Sequence, residues 1–91
     1  MIKIKELKKI FQKDPDITYD NKCSVFEGLK IITKYLPDEG VSFVKDDEIY
    51  SIKINDIINK GLTKKDAIEL RNLCWSISEL GDEEYLTISV N

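Results

Sequence analysis

Four stretches of the chain alternate apolar residues with small polar ones, the pattern of β-strands that bury one face of a sheet. They span residues 41–44, 50–54, 75–77 and 86–90. The alternation predicts a core face made of Val41, Phe43, Tyr50, Ile52, Ile54, Trp75, Ile77, Leu86, Ile88 and Val90. The opposite face would carry Ser42, Ser51, Lys53, Ser76, Ser78, Thr87 and Ser89. We therefore expect an antiparallel sheet with a core side and a hydroxyl-lined side.

Two helices are predicted ahead of the strands. Residues 4–13 repeat apolar side chains at helical spacing, although the alternation over residues 1–5 also fits an edge strand. Residues 14–22 form a polar connection. After it, Ser24 and Glu27 have the spacing of a capping box, which predicts that the second helix begins there.

The middle of the chain is rich in turn and cap signals. Residues 45–48 would join the first two strands in a hairpin. Asn55 would cap a short helical turn that Gly61 closes in the left-handed conformation. Thr63 would then cap a third helix, and residues 79–84 would form the turn of a second hairpin.

Size and charge limit what the protein can be. With 91 residues and 10.5 kDa, we expect one α+β domain over residues 1–91, with about three helices packed on one face of a four-stranded antiparallel sheet. No apolar run reaches the length of a membrane span and the N-terminus lacks a signal-peptide block, so we expect no membrane contact and a cytoplasmic location. A net charge of −3 and a single arginine predict that nucleic acid is not a partner.

Four residues carry expectations about packing. Cys23 and Cys74 are predicted to be two buried thiols, with a disulfide as the alternative. Gly28 lies inside the second helix, where glycine lowers helix propensity by about 1 kcal/mol relative to alanine, so we expect close packing against another backbone. Trp75 is expected in the core beneath that helix.

No catalytic, cofactor or metal motif is present, and the chain has no histidine. We therefore predict that the protein is not an enzyme and has no cofactor. Acidic residues cluster at 46–48 and 82–84, in the two predicted hairpin turns. If the turns shared one acidic rim, a metal-dependent enzyme would be an alternative.

The hydroxyl-lined face is the predicted site of function. Tyr85 would project from it beside Thr87 and Ser51, with Val44 and Ile49 pointing the same way, so these five residues would bind a partner. We predict a protein-interaction module that acts through this face or an edge strand. Self-association, for example as a homodimer, is the alternative use of the same surface.

One set of residues also matches a known pattern. The set consists of residues 45–50 (KDDEIY), 61–67 (GLTKKDA), Leu70, Leu73 and Trp75. It resembles a group of small proteins from phages and prophages whose activity is uncharacterised. The chain departs from the pattern because no histidine precedes Ile49 and because Cys74 replaces a glycine. The resemblance implies an accessory protein that binds and inhibits a host protein, such as a component of host defence.

Overall fold

The computed structural model describes residues 2–14 and 23–90, which form four helices and a four-stranded sheet. In chain order the elements are α1 (Ile4–Gln12), α2 (Val25–Tyr35), β1 (Phe43–Lys45), β2 (Glu48–Lys53), α3 (Ile54–Asn59), α4 (Lys64–Asn72), β3 (Ser76–Leu80) and β4 (Glu83–Ser89). The predicted α+β class and antiparallel sheet are confirmed. Most of the predicted connection over residues 14–22 lies outside the described residues. No helix within the described ranges has the length and hydropathy needed to cross a bilayer.

The strands are ordered β1-β2-β4-β3 and every neighbouring pair is antiparallel. Both hairpins turn through only two residues, fewer than the sequence predicted. In the first hairpin Asp46 and Asp47 have φ of 52° and 63°, as a type I′ turn requires. In the second, Gly81 takes a φ of 65° at the first turn position. Tight turns of this kind match the twist of the strands that they join.

The two acidic turns lie at opposite ends of the sheet. Glu48, which follows the first turn, pairs with Ser89 at the end of β4. Glu83, which follows the second turn and begins β4, pairs with Leu80 at the end of β3. The two turns therefore do not share one acidic rim, because β4 runs between them along its whole length.

A β-bulge in β2 changes which side chains share a face. Tyr50 pairs with Thr87 and Lys53 pairs with Tyr85, so three steps along β2 match two steps along β4. One extra residue reverses the alternation that follows it. Tyr50 and Ile52, predicted to share the core face, consequently point to opposite sides of the sheet.

The core joins side chains of all four helices to strand residues. Its buried members are Ile2, Leu7, Ile10, Ile32, Ile52, Ile54, Ile57, Ile58, Leu62, Ala67, Leu70, Trp75, Leu86 and Ile88. Trp75 is 2% exposed, which confirms its predicted place in the core. Its indole N–H donates a hydrogen bond of 3.2 Å to the Ser24 carbonyl at the start of α2.

Local signals set most helix ends. Ser24 Oγ accepts the Glu27 N–H at 3.0 Å, and Thr63 Oγ1 accepts the Asp66 N–H at 3.1 Å, as predicted. The cap predicted at Asn55 is wrong, because α3 begins at Ile54 and Asn55 already lies inside the helix. The helix continues directly from β2. Gly61 closes this helix with a φ of 93°, as predicted.

Two packing predictions need correction at the start of α2. A Cβ on Gly28 would have three atoms of the Trp75 indole within 2.6 Å, so the glycine packs against a ring rather than against another backbone. Cys23 and Cys74 form a disulfide with their Cα atoms 5.0 Å apart, and Cys23 is exposed. The prediction of two buried thiols is therefore wrong. Residues 51 positions apart in sequence have been brought together by the docking of α2 beside the end of α4.

Candidate functional site

The five predicted binding residues do not form one surface. Val44 pairs with Ile49, and Ile49 pairs with the core residue Ile88. Tyr85 and Thr87 belong to the other face of the sheet, because directly opposed residues in an antiparallel pair share a face and Thr87 is opposite Tyr50. The prediction that Val44 and Ile49 point the same way as Tyr85 is wrong.

Three aromatic rings pack together on the face of the sheet that carries Tyr85 and Thr87, which we call the second face. None of the three belongs to the core cluster. Phe43 stacks on Tyr50 with ring centroids 4.7 Å apart and planes 11° from parallel. Tyr85 meets both rings edge-on, with centroids 5.5 Å from Phe43 and 5.7 Å from Tyr50. Burial raises the pKa of Tyr50, and the neighbouring Glu48 carboxylate raises it further. We call Phe43, Tyr50 and Tyr85 the aromatic cluster.

Hydroxyl groups lie beside the aromatic cluster but are largely internal. Thr87 Oγ1 is within hydrogen-bonding distance of Ser78 Oγ at 2.9 Å and Ser76 Oγ at 3.3 Å. Thr87 is fully buried. Ser51 is also fully buried, and its hydroxyl donates a hydrogen bond to the Gly40 carbonyl. Neither predicted binding residue therefore offers its hydroxyl to a partner, since neighbouring side chains and backbone already occupy it.

Exposed apolar side chains concentrate at the β1 side of the sheet. Of the five large apolar side chains exposed within residues 2–14 and 23–90, Val44 is 61%, Val41 49% and Val90 47% exposed. Val90 lies near the β1–β2 turn, because its N–H donates to the Asp47 carbonyl at 2.9 Å. β1 is an edge strand, so one side of its backbone has no strand beside it in the described part of the chain.

The backbone of Val44 faces that open side. Lys45 and Glu48 flank a two-residue turn, and such a flanking pair exchanges both of its ladder hydrogen bonds. The next pair along, Val44 with Ile49, is then a pair without hydrogen bonds between its two residues. The N–H and C=O of Val44 therefore point away from β2. We call residues 41–45, which contain β1 and its central residue Val44, the β1 edge.

A buried carboxylate, which the sequence did not single out as a site, links α2 to α4. Asp66 Oδ2 accepts a hydrogen bond from the Tyr35 hydroxyl and lies 2.6 Å from Lys34 Nζ. Burial by itself would raise the pKa of Asp66, but the bonds from Lys34 and Tyr35 outweigh it and hold the pKa below its usual 3.8. The hydrogen bond to Asp66 raises the pKa of Lys34. Because both partners belong to α2 and Asp66 belongs to α4, this network acts in packing the two helices together. Its sequence signal was the acid three residues after the Thr63 cap.

Metal ligands are not grouped in the part of the chain that the structure describes. Within residues 2–14 and 23–90, no three His, Cys, Asp or Glu side chains lie close enough to hold an ion. In the second acidic turn, Glu83 lies 3.6 Å from Lys53 and Glu84 lies 2.9 Å from Lys8. These carboxylates serve as partners for lysines of the same chain.

Comparison with protein-family models, with curated proteins and with solved structures finds no match to this chain.

Proposed function

We propose that the protein is a non-enzymatic interaction module that binds a protein partner by adding a strand of that partner to the β1 edge. The observation that supports this most concerns Val44. Its backbone faces outward, and its side chain is 61% exposed. In strand addition, main-chain hydrogen bonds supply affinity, while side chains on alternate faces supply specificity.

Both faces of the sheet offer apolar contacts next to β1. On one face, Val44 is opposite Ile49. On the other, Phe43 stacks on Tyr50 and contacts Tyr85 edge-on. An added strand alternates its own side chains between these two faces. Val44, Ile49 and Tyr85 would therefore still contact the partner. Val44 and Ile49 would do so on one face of the sheet, and Tyr85 on the other.

The other edge strand is less suited to this role. β3 packs against α1. Next to its hairpin turn, the backbone of Glu79 faces outward, and this residue is charged. Charged side chains and covering helices are the usual protection of sheet edges. β1 is short and carries Lys45, but its central residue is an exposed valine.

The resemblance of residues 45–50 and 61–67 to small phage and prophage proteins supports a host or defence protein as the partner. We propose a cytoplasmic place of action, where the Cys23–Cys74 disulfide would be exposed to reducing thiols. Alkylation of the protein in intact cells, followed by mass analysis, would show which redox form is present there.

The experiment uses a proline on each edge. Val44→Pro removes the outward N–H of β1, and Glu79→Pro makes the equivalent change on β3, one residue before the strand end in both hairpins. Proline is tolerated on edge strands where its missing N–H would face solvent. Both variants should keep the native circular dichroism spectrum. Cross-linked capture from a lysate of the native host should yield the same partner with the wild type and with Glu79→Pro, and lose it with Val44→Pro.

Other outcomes contradict the proposal. Capture that is lost with Glu79→Pro but kept with Val44→Pro would place the interface on β3. Wild-type protein that captures nothing but has a dimer mass in light scattering, which Val44→Pro converts to a monomer mass, would assign the β1 edge to self-association instead. A monomer with no partner would remove the basis for an interaction module.

A further inference from the structure

We propose that a groove between α1 and α4 binds a short acidic peptide segment through one apolar anchor side chain. This site is separate from the β1 edge and does not depend on it. The groove has a volume of about 240 Å³. Its apolar floor is made by Ile10 and Ile68, and its lining includes four cationic side chains and the single acid Glu6. The cationic side chains are Lys9, Lys13, Lys64 and Arg71.

The four cations have no acidic partner in the described part of the chain. Lys8, Lys30, Lys34 and Lys53 each form an ion pair with an acidic residue of the chain. Lys9, Lys13, Lys64 and Arg71 form none with any residue in the described ranges. Lys9 lies in α1, Lys13 follows its last residue, and the other two lie in α4, so the packing of these helices concentrates positive charge in a protein whose net charge is −3. Such a concentration of one sign favours an anionic ligand.

Arg71 adds a geometric argument. It is the only arginine in the chain, beside thirteen lysines. Its side chain lines the groove, and its Nε and Nη2 donate hydrogen bonds of 3.3 Å and 3.1 Å to Asn72 Oδ1, which leaves Nη1 without a hydrogen bond to this acceptor. A planar guanidinium can donate two parallel hydrogen bonds to one carboxylate, whereas a lysine ammonium acts as a point charge. The groove therefore suits carboxylates better than a diffuse negative surface.

The size and lining of the groove indicate a peptide rather than other anionic partners. Nucleic-acid sites use aromatic side chains for base stacking, and no aromatic residue lines this groove. A stable interface between folded proteins uses about 20–30 residues on each side, whereas seven residues line this groove. One leucine-sized side chain on the isoleucine floor, with acidic neighbours at the cationic rim, matches both the volume and the charge.

The test measures fluorescence anisotropy with a labelled hexapeptide that contains five glutamates and one internal leucine. We expect saturable binding that weakens with added salt. The variant Lys13→Glu/Lys64→Glu, which changes one exposed residue at each side of the groove, should weaken binding at least tenfold. The control Lys60→Glu/Lys65→Glu, at two exposed residues outside the groove and outside the β1 edge, has the same net charge and should stay within twofold of the wild type. Arg71→Lys, which keeps the charge, should weaken binding several-fold.

Four results would overturn the proposal. One is equal weakening by the groove variant and the charge-matched control, which would show that only net charge matters. Another is equal affinity for a peptide with glycine in place of leucine, since the apolar floor would then have no role. Tighter binding of a single-stranded oligonucleotide or of anionic lipid vesicles would identify a different class of partner. Absence of binding at millimolar peptide would remove the site.

Discussion

Replacement of Gly28 by alanine tests the close contact between α2 and the Trp75 indole. The new Cβ would lie within 2.6 Å of three atoms of the Trp75 indole, whereas carbon atoms in contact normally stand about 3.5–4.0 Å apart. The indole is buried in the core, so it can move only by displacing its neighbours. Overpacking of this kind destabilises by about 1–3 kcal/mol.

Two further effects decide the size of the change. Movement of the indole breaks its 3.2 Å hydrogen bond to the Ser24 carbonyl, and a buried donor left without a partner destabilises by about 1–3 kcal/mol. Alanine in a helix interior is favoured over glycine by about 1 kcal/mol, which acts in the opposite direction. We therefore expect Gly28→Ala to lower the free energy of unfolding by about 1–5 kcal/mol.

Urea denaturation followed by circular dichroism measures this loss. Gly40→Ala is the matched control, because a Cβ there meets no atom within 4 Å and the φ of Gly40 lies outside the left-handed region. The control should leave stability unchanged or raise it by about 0.4–1 kcal/mol. In a Trp75→Leu background, the ring is gone and Gly28→Ala should add little further loss. A Gly28→Ala protein as stable as the wild type would refute the reasoning.

Three more changes test other parts of the structure. Removal of the Cys23–Cys74 disulfide, by reduction or by a double serine substitution, should lower stability by about 4 kcal/mol, because the bond closes a loop between residues 51 positions apart. Asp66→Asn should lower stability at neutral pH and flatten the acid denaturation profile below about pH 5. The depressed pKa of Asp66 supplies stability that is present above its usual value of 3.8 and lost as the pH falls through the folded-state pKa. Thr87→Lys should lower stability by more than 2 kcal/mol in urea denaturation, roughly the scale for burying an unpaired charge, whereas the exposed Ser89→Lys on the same strand should change it by less than about 0.5 kcal/mol.

Each of these has a contradicting result. Equal stability of the oxidised and reduced protein would mean that the disulfide does not constrain the chain. An Asp66→Asn variant with the wild-type pH profile would mean that the carboxylate gains nothing from Lys34 and Tyr35. Equal tolerance of lysine at Thr87 and Ser89 would show that the second face of the sheet is open at both positions.

Local features of the fold were predictable from the sequence because they depend on neighbours along the chain. Ser24 and Thr63 cap helices through residues three positions ahead, and Gly61 supplies the left-handed conformation that ends α3. The alternation of apolar residues identified all four strands for the same reason. These signals do not depend on which elements later meet.

Features that depend on pairing were not predictable. The bulge between Tyr50 and Lys53 inserts one residue, and nothing in the alternation marks its place. It transfers Tyr50 to the face of Tyr85 and so creates the aromatic cluster. The disulfide likewise depends on the docking of α2, which a spacing of 51 positions does not reveal. The prediction that the five binding residues form one surface was wrong, because their relative orientation follows from the register of three strands.

The disulfide also makes part of the chain a covalent ring. From Cys23 to Cys74 the ring contains α2, β1, β2, α3 and α4, while α1, β3 and β4 lie outside it. A protease that cuts once in the exposed connection at residues 37–39 opens the ring without releasing a fragment. The nicked protein would keep the mass of a single chain on a non-reducing gel and separate into two pieces only after reduction. Release of a fragment from within the ring would therefore need either two cuts or a reductant, so the fate of the nicked protein depends on the thiol chemistry of its surroundings.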